Sequence, residues 1–196
     1  MKSVYNFVVT PIGQRYNNTK KIGDKDLILN TEIYNHEFIN RLAKVVSIPI
    51  IGDTDIKPGD EVITHFNVFR RWHNIKGVEK NSRSYFNEST YFINYDQIFL
   101  YKRDNEWKAP KGYCFVQPIK NKDKFNIETE KPSQGIVKYT DGTVNVNDII
   151  GYKPRTECEF IIDSQKLYRV LSNLITIKYE YQGDEEAYNP SWTQSG

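Results

Sequence analysis

Ile56-Lys57-Pro58-Gly59-Asp60-Glu61-Val62 and, further along, Val144-Asn145-Val146-Asn147-Asp148-Ile149-Ile150 decide how the chain is read. Each is a polar turn running into an apolar, β-branched strand. Gly59 can take a positive φ without a Cβ clash, and Asn147, at the same place in the second stretch, tolerates the left-handed region next best. Asp60 and Asp148 follow directly, with carboxylates able to accept from the turn's own amides. Gly59, Asp60, Asn147 and Asp148 are therefore the expected turn formers.

Two further stretches recur in the same order on either side of these turns. Tyr5-Asn6-Phe7-Val8-Val9-Thr10-Pro11-Ile12 is echoed by Tyr113-Cys114-Phe115-Val116-Gln117-Pro118-Ile119. Tyr91-Phe92-Ile93-Asn94-Tyr95-Asp96-Gln97-Ile98-Phe99 is echoed by Glu159-Phe160-Ile161-Ile162-Asp163-Ser164-Gln165-Lys166-Leu167. Three echoes in one order imply an internal duplication with a period of about 100 residues, too long for a solenoid and suited to two tandem β domains. The first domain is expected at 1–103, a charged linker at 104–111 around Pro110, the second domain at 112–182, and a polar, extended tail at 183–196. The second copy lacks an excursion present at 67–90 and carries an extra strand-like run at 174–179. One helical turn fits between Glu37 and Leu42.

Composition agrees with an all-β chain with little helix. The 196 residues include 14 Tyr and 10 Phe, side chains that suit a pleated, half-buried surface. Ala, the best helix former, occurs only at 43, 109 and 187. A net charge of +2 does not point to a dedicated nucleic-acid binder. No apolar run approaches the roughly 18 residues of a membrane span, and no export signal is evident, so a cytoplasmic protein without membrane contact is expected. Two cysteines, Cys114 and Cys158, are too few for a disulfide framework or a zinc site.

The order of these elements resembles the GroES-type co-chaperonin family. Members of that family open with a strand beside a proline, followed by a mobile loop carrying an aliphatic tripeptide. A strand, a Val-Lys-x-Gly-Asp-x-Val turn and a closing strand-turn-strand complete the domain. The first copy supplies Pro11, then Leu27-Ile28-Leu29, then Ala43-Lys44-Val45-Val46-Ser47, the turn at Gly59-Asp60, and residues 91–101. The second copy supplies Gly135-Ile136-Val137 and residues 144–150, with Asn147 where the family has Gly. The resemblance implies two tandem small β-barrels, assembly into a homo-oligomeric ring, and docking of Leu27, Ile28 and Leu29 onto a chaperonin ring whose folding chamber is capped. No cofactor or metal is implied.

Three aliphatic side chains in a polar loop are unfavourable in water; burying each fully contributes about 1.5–3 kcal/mol before the cost of ordering the loop. The same tripeptide reads equally as an ordinary barrel strand. In the second copy Lys124-Phe125-Asn126-Ile127-Glu128 alternates, which favours a strand over a docking segment. Arg70, Arg71 and Trp72 open a basic, aromatic stretch that could contact phosphate and stack on a base, but with so small a net charge it reads first as a solvated hairpin or a subunit contact, and nucleic acid is not the expected partner. His36, His65 and His73 lack metal-ligand spacing, and no nucleophile motif or phosphate loop occurs, so no catalytic residue is expected. A rival to the co-chaperonin role is a structural subunit, an auxiliary or decoration protein of a virus particle, contacting other virion subunits. Its location would be the virion, or the host cytoplasm for a viral co-chaperonin. A tail acting as an arm and the 67–90 excursion favour it.

Overall fold

The computed structural model describes residues 3–16, 19–28, 38–123, 129–181, 183 and 185–194. The chain divides into two compact units, Met1–Glu106 and Trp107–Gly196. Both are all-β, and helix among the described residues is confined to short 3-10 turns.

The first unit contains β1 (Phe7–Pro11), β2 (Thr19–Ile22), β3 (Lys25–Ile28), β4 (Leu42–Ser47), β5 (Glu61–Thr64), β6 (Arg71–His73), β7 (Glu79–Asn81), β8 (Tyr85–Asn87), β9 (Thr90–Ile93) and β10 (Ile98–Arg103). With the short edge strand β11 (Glu106–Lys108), seven of these form one sheet in the order β11-β10-β5-β4-β1-β9-β8. Strand β4 shows the period-2 pattern of a half-buried strand: Ala43 and Val45 face inward, whereas Leu42, Lys44 and Val46 face water. The inward side chains meet Phe7, Val9, Val62, Tyr91, Ile93 and Ile98 in one core, capped by Phe69 edge-on to Tyr91 at 4.7 Å.

The second unit contains β12 (Tyr113–Lys120), β13 (Glu130–Thr140), β14 (Ile149–Tyr152), β15 (Cys158–Ile162), β16 (Gln165–Leu171) and β17 (Ile175–Tyr179), in the order β15-β16-β12-β13-β14-β17. Its core gathers Cys114, Val116, Val137, Ile150, Tyr152 and Val170. Burial pushes the Cys114 thiol up to about 12, so it stays protonated and acts as a small apolar residue.

The two sheets follow the same path. β10-β5-β4-β1-β9-β8 of the first corresponds strand for strand to β17-β14-β13-β12-β16-β15 of the second. The register agrees as well. Val9 faces Val45 and Val116 faces Val137, in each case just after a register shift. Pro11 then faces Ala43, and Pro118 faces Gly135. Ala43 faces Val62, and Gly135 faces Ile150.

One echo falls elsewhere. Residues 91–98 correspond to 168–175, not to the stretch beginning at Glu159: β9, a 3-10 turn at 95–97 and β10 match β16, a 3-10 turn at 172–174 and β17. The run at 174–179 is therefore the counterpart of β10 and not an addition. A polar break between two apolar runs looks alike in sequence whether it is a hairpin turn or a 3-10 link. Asp163 and Ser164, both at positive φ (48° and 58°), make the tight hairpin between β15 and β16. The 95–97 link joins strands that do not pair.

That link forces curvature. In a flat sheet strands four ladders apart, as β9 and β10 are, would lie about 19 Å from one another. A three-residue 3-10 turn advances only about 6 Å. The sheet therefore curls to bring the end of β9 to the start of β10. No ladder joins them, so the sheet is open and the expected closed barrel is not found.

The tail is also unlike the expected extended arm. The Lys120 amide donates to the Glu186 carbonyl and the Tyr188 amide to the Pro118 carbonyl, both at 2.8 Å. Asn189 accepts from the Lys166 amide and donates to the Ser164 carbonyl. Residues 185–190 thus strap back onto their own unit. Glu37 lies outside the described residues, and the helical turn expected there gives way at Leu42 to β4.

Candidate functional site

A clasp closes the base of the segment between β1 and β4. Tyr16 and Ile39 form an isolated antiparallel bridge, and the Asn40 amide donates to the Arg15 carbonyl at 2.9 Å. Asn40, nearly fully buried, also donates from its side chain to the Ile12 and Gln14 carbonyls at 2.7 and 2.8 Å. The chain can therefore leave the sheet after Tyr16 and return at Ile39 without loosening the core.

Outside the clasp, β2 and β3 pair with one another and with no other strand among the described residues, Thr19 facing Ile28 and Lys20 facing Leu27. Leu27 and Ile28 thus sit on a two-stranded ribbon, neither in a bare loop nor in the main sheet. Neighbouring residues of a strand point to opposite faces, so each face of the ribbon shows one of them, 50% and 60% exposed. Ile22 on the partner strand is 60% exposed too. Leu29 lies outside the described residues, as does the second-copy stretch Lys124-Phe125-Asn126-Ile127-Glu128. An isolated hairpin of this kind is at best marginally stable in water, so a docking surface would both cover its apolar residues and hold its shape.

The excursion forms a second ribbon, β6 with β7. Trp72 faces Lys80 across it, while Arg71 faces Asn81 and His73 faces Glu79. Arg70, Arg71 and Trp72 do not form one patch. The Arg71 guanidinium lies over the Tyr16 ring at 4.9 Å and pairs with Glu79 at 3.3 Å. Trp72 points to the opposite face of the ribbon, 42% exposed. At the tip, Asn74 Oδ1 accepts from the Lys76 and Val78 amides, and Ile75 is fully exposed. Ile22, Ile75 and Val78 escaped the sequence reading. Gly77 marked the turn, but the tip was hidden within a stretch read for its charge.

The paired turns behave as their residues demand. Gly59 adopts φ 96° and Asn147 φ 69°. The Gly59 amide donates to Val45 and the Val45 amide to the Asp60 carbonyl; Asn147, Val137 and Asp148 repeat both bonds. Asp60 accepts from the Lys57 amide at 2.8 Å, and Asp148 from the Asn145 amide at 2.9 Å. Each carboxylate meets a cation from a strand further along: Arg103 at 2.6 Å from Asp60, Lys178 at 2.8 Å from Asp148. The Lys178 ammonium and the Asn145 amide hold the Asp148 carboxyl below its ordinary value. These bonds hold the turns against their own sheets.

Among the described residues no three His, Cys, Asp or Glu side chains are placed to share a metal ion. A buried charge of the second unit, Lys166, pairs with Glu130 at 2.7 Å and Glu159 at 3.0 Å. Burial alone would lower its pKa, but these carboxylates and Tyr168 hold the ammonium well above its usual range. A lysine so held is no nucleophile at neutral pH. None of the described helices is long and apolar enough to cross a membrane. The chain matches no protein-family model and is similar to no curated protein.

Proposed function

We propose that the chain is a non-enzymatic, tandem GroES-like protein acting as a co-chaperonin, its two curled sheets serving as a scaffold that presents the β2–β3 hairpin to a chaperonin ring. One observation carries this reading: a clasped segment between β1 and β4 that holds Leu27 and Ile28, half or more exposed, on a ribbon that pairs with no other strand among the described residues. A segment ordered mainly on binding gives modest affinity per copy, and a ring of copies raises it by multivalency. Such a protein would alter the partner's ATP cycle by binding one of its states better than another.

The test mixes the purified protein with a chaperonin ring and nucleotide. The reading expects a complex and slowed ATP turnover, both lost in Leu27→Ser/Ile28→Ser. Absence of any complex would refute it.

A second reading, a structural subunit of a virus particle, draws on a different surface. Val4, Tyr5, Ile50 and Ile51 are each about half exposed or more, joined by bonds from the Ile50 and Ile51 amides to the Ser3 and Val4 carbonyls. Such a knob suits contacts between copies or with other subunits. Presence of the chain in purified particles, without chaperonin binding, would favour this reading.

A further inference from the structure

Arg15 and Tyr16 seat two hairpins at one root. Arg15 donates from Nε and Nη2 to the Phe69 carbonyl at 3.3 and 3.1 Å, and from Nη1 to Asn81 at 2.8 Å. The Tyr16 hydroxyl accepts from the Arg71 amide at 2.8 Å. These bonds hold both ends of the β6–β7 ribbon. The same Tyr16, bridged to Ile39, closes the segment that carries Leu27 and Ile28. The outer end of β6–β7 is unlike a merely solvated turn. Ile75 is fully exposed, Val78 50% and Trp72 42%. In the same hairpin Lys76, at the tip, and Lys80, opposite Trp72, carry positive charge, whereas its one carboxylate, Glu79, pairs with Arg71.

We infer that the 71–81 hairpin is a second docking arm, fitted to a protein surface that offers an apolar pocket rimmed by carboxylates. The aliphatic tip favours a protein over a phosphate polymer, which has no pocket for Ile75 or Val78. The local excess of positive charge selects an acidic rim. The chaperonin as partner rests on the co-chaperonin reading above; the chemistry of the surface rests on the hairpin alone. A common root means that one partner surface can hold both ribbons, and each contact lowers the ordering cost of the other.

The experiment compares chaperonin binding by the full-length wild type, Ile75→Ser/Val78→Ser, Lys76→Glu/Lys80→Glu and Leu27→Ser/Ile28→Ser. The hairpin changes fall on exposed side chains, and unchanged melting curves confirm intact folding. Each hairpin variant should bind about tenfold more weakly, and added salt should weaken the wild type more than Lys76→Glu/Lys80→Glu. In parallel, Trp72 fluorescence, isolated by difference from Trp72→Phe, is titrated with polyglutamate and with an oligothymidylate. A saturable response to polyglutamate supports the acidic-surface assignment even if no chaperonin complex forms. Hairpin variants that bind like the wild type while Leu27→Ser/Ile28→Ser fails would overturn the second arm and leave the co-chaperonin reading standing. The reverse pattern would keep the arm and remove the tripeptide. A response to the oligothymidylate alone, or to neither probe when no complex forms, would overturn the inference.

Discussion

The turns at Asp60 and Asp148 share one bond pattern and differ in what surrounds it. Asp60 is nearly buried and held by a two-pronged Arg103, with bonds at 2.6 and 3.1 Å. Asp148 is paired by Lys178, whose side chain is 56% exposed. Both turns have the carboxylate, the positive φ and the valine partner, while the cation and its burial differ. The geometry of the turn is thus what a duplicated sheet needs, and the strength of its lock is adjustable.

Breaking the locks should separate the two units most clearly. Asp60→Ala leaves Arg103 partly buried without its counter-charge and should cost about 3 kcal/mol. Asp148→Ala frees a solvated lysine and loses mainly the turn bond, about 1 kcal/mol. Urea unfolding read by amide exchange in each unit would show both; equal losses would mean that burial does not set the difference. A second contrast lies where β4 and β13 cross their partners. A Cβ at Gly135 would come within 2.6 Å of Val116 and 2.8 Å of the Gln117 carbonyl. Gly135→Ala should therefore destabilise the second unit by about 2 kcal/mol. Its counterpart in the first unit already carries a methyl group, at the fully buried Ala43.

Smaller effects refine the picture. Gly59→Ala should cost about 1–2 kcal/mol because of its φ, whereas Asn147→Gly should change stability by only about 0.5 kcal/mol. Acid should act on the second unit through Asp148 and Asp141. Burial alone would raise the Asp141 pKa, but bonds from Thr143, Gly112 and Ser172 outweigh it. Both carboxyls are depressed on folding, so their stabilisation is complete above the ordinary aspartate range and is lost as pH falls through about 4 and below. Asp148→Asn should flatten that decline in an acid titration followed by circular dichroism.

Much of this was legible in residues whose physical role is local. Gly59, Asn147 and the two aspartates could be read because a positive φ and a short carboxylate have few other uses in sequence. Pro11 and Pro118 fixed the alignment of β1 with β12. What escaped depended on pairing at a distance. Nothing in Asp96 or Ser164 says whether the strands on either side face one another, so the third echo slipped. The apolar tip at Ile75 was overlooked for a related reason: exposure is a property of the fold, and in sequence an isoleucine between Asn and Lys looks like any other core candidate. The tail's attachment at Tyr188 and Asn189 uses backbone and amide bonds that leave no hydrophobic pattern to read.

The Tyr16–Ile39 clasp has a consequence for how such proteins can change. Because the span it encloses begins and ends at adjacent points, lengthening that span costs only the slowly growing entropy of a larger closed ring, about 0.6 kcal/mol for each doubling. Length and sequence between Tyr16 and Ile39 can therefore change while every strand of the main sheet stays in register.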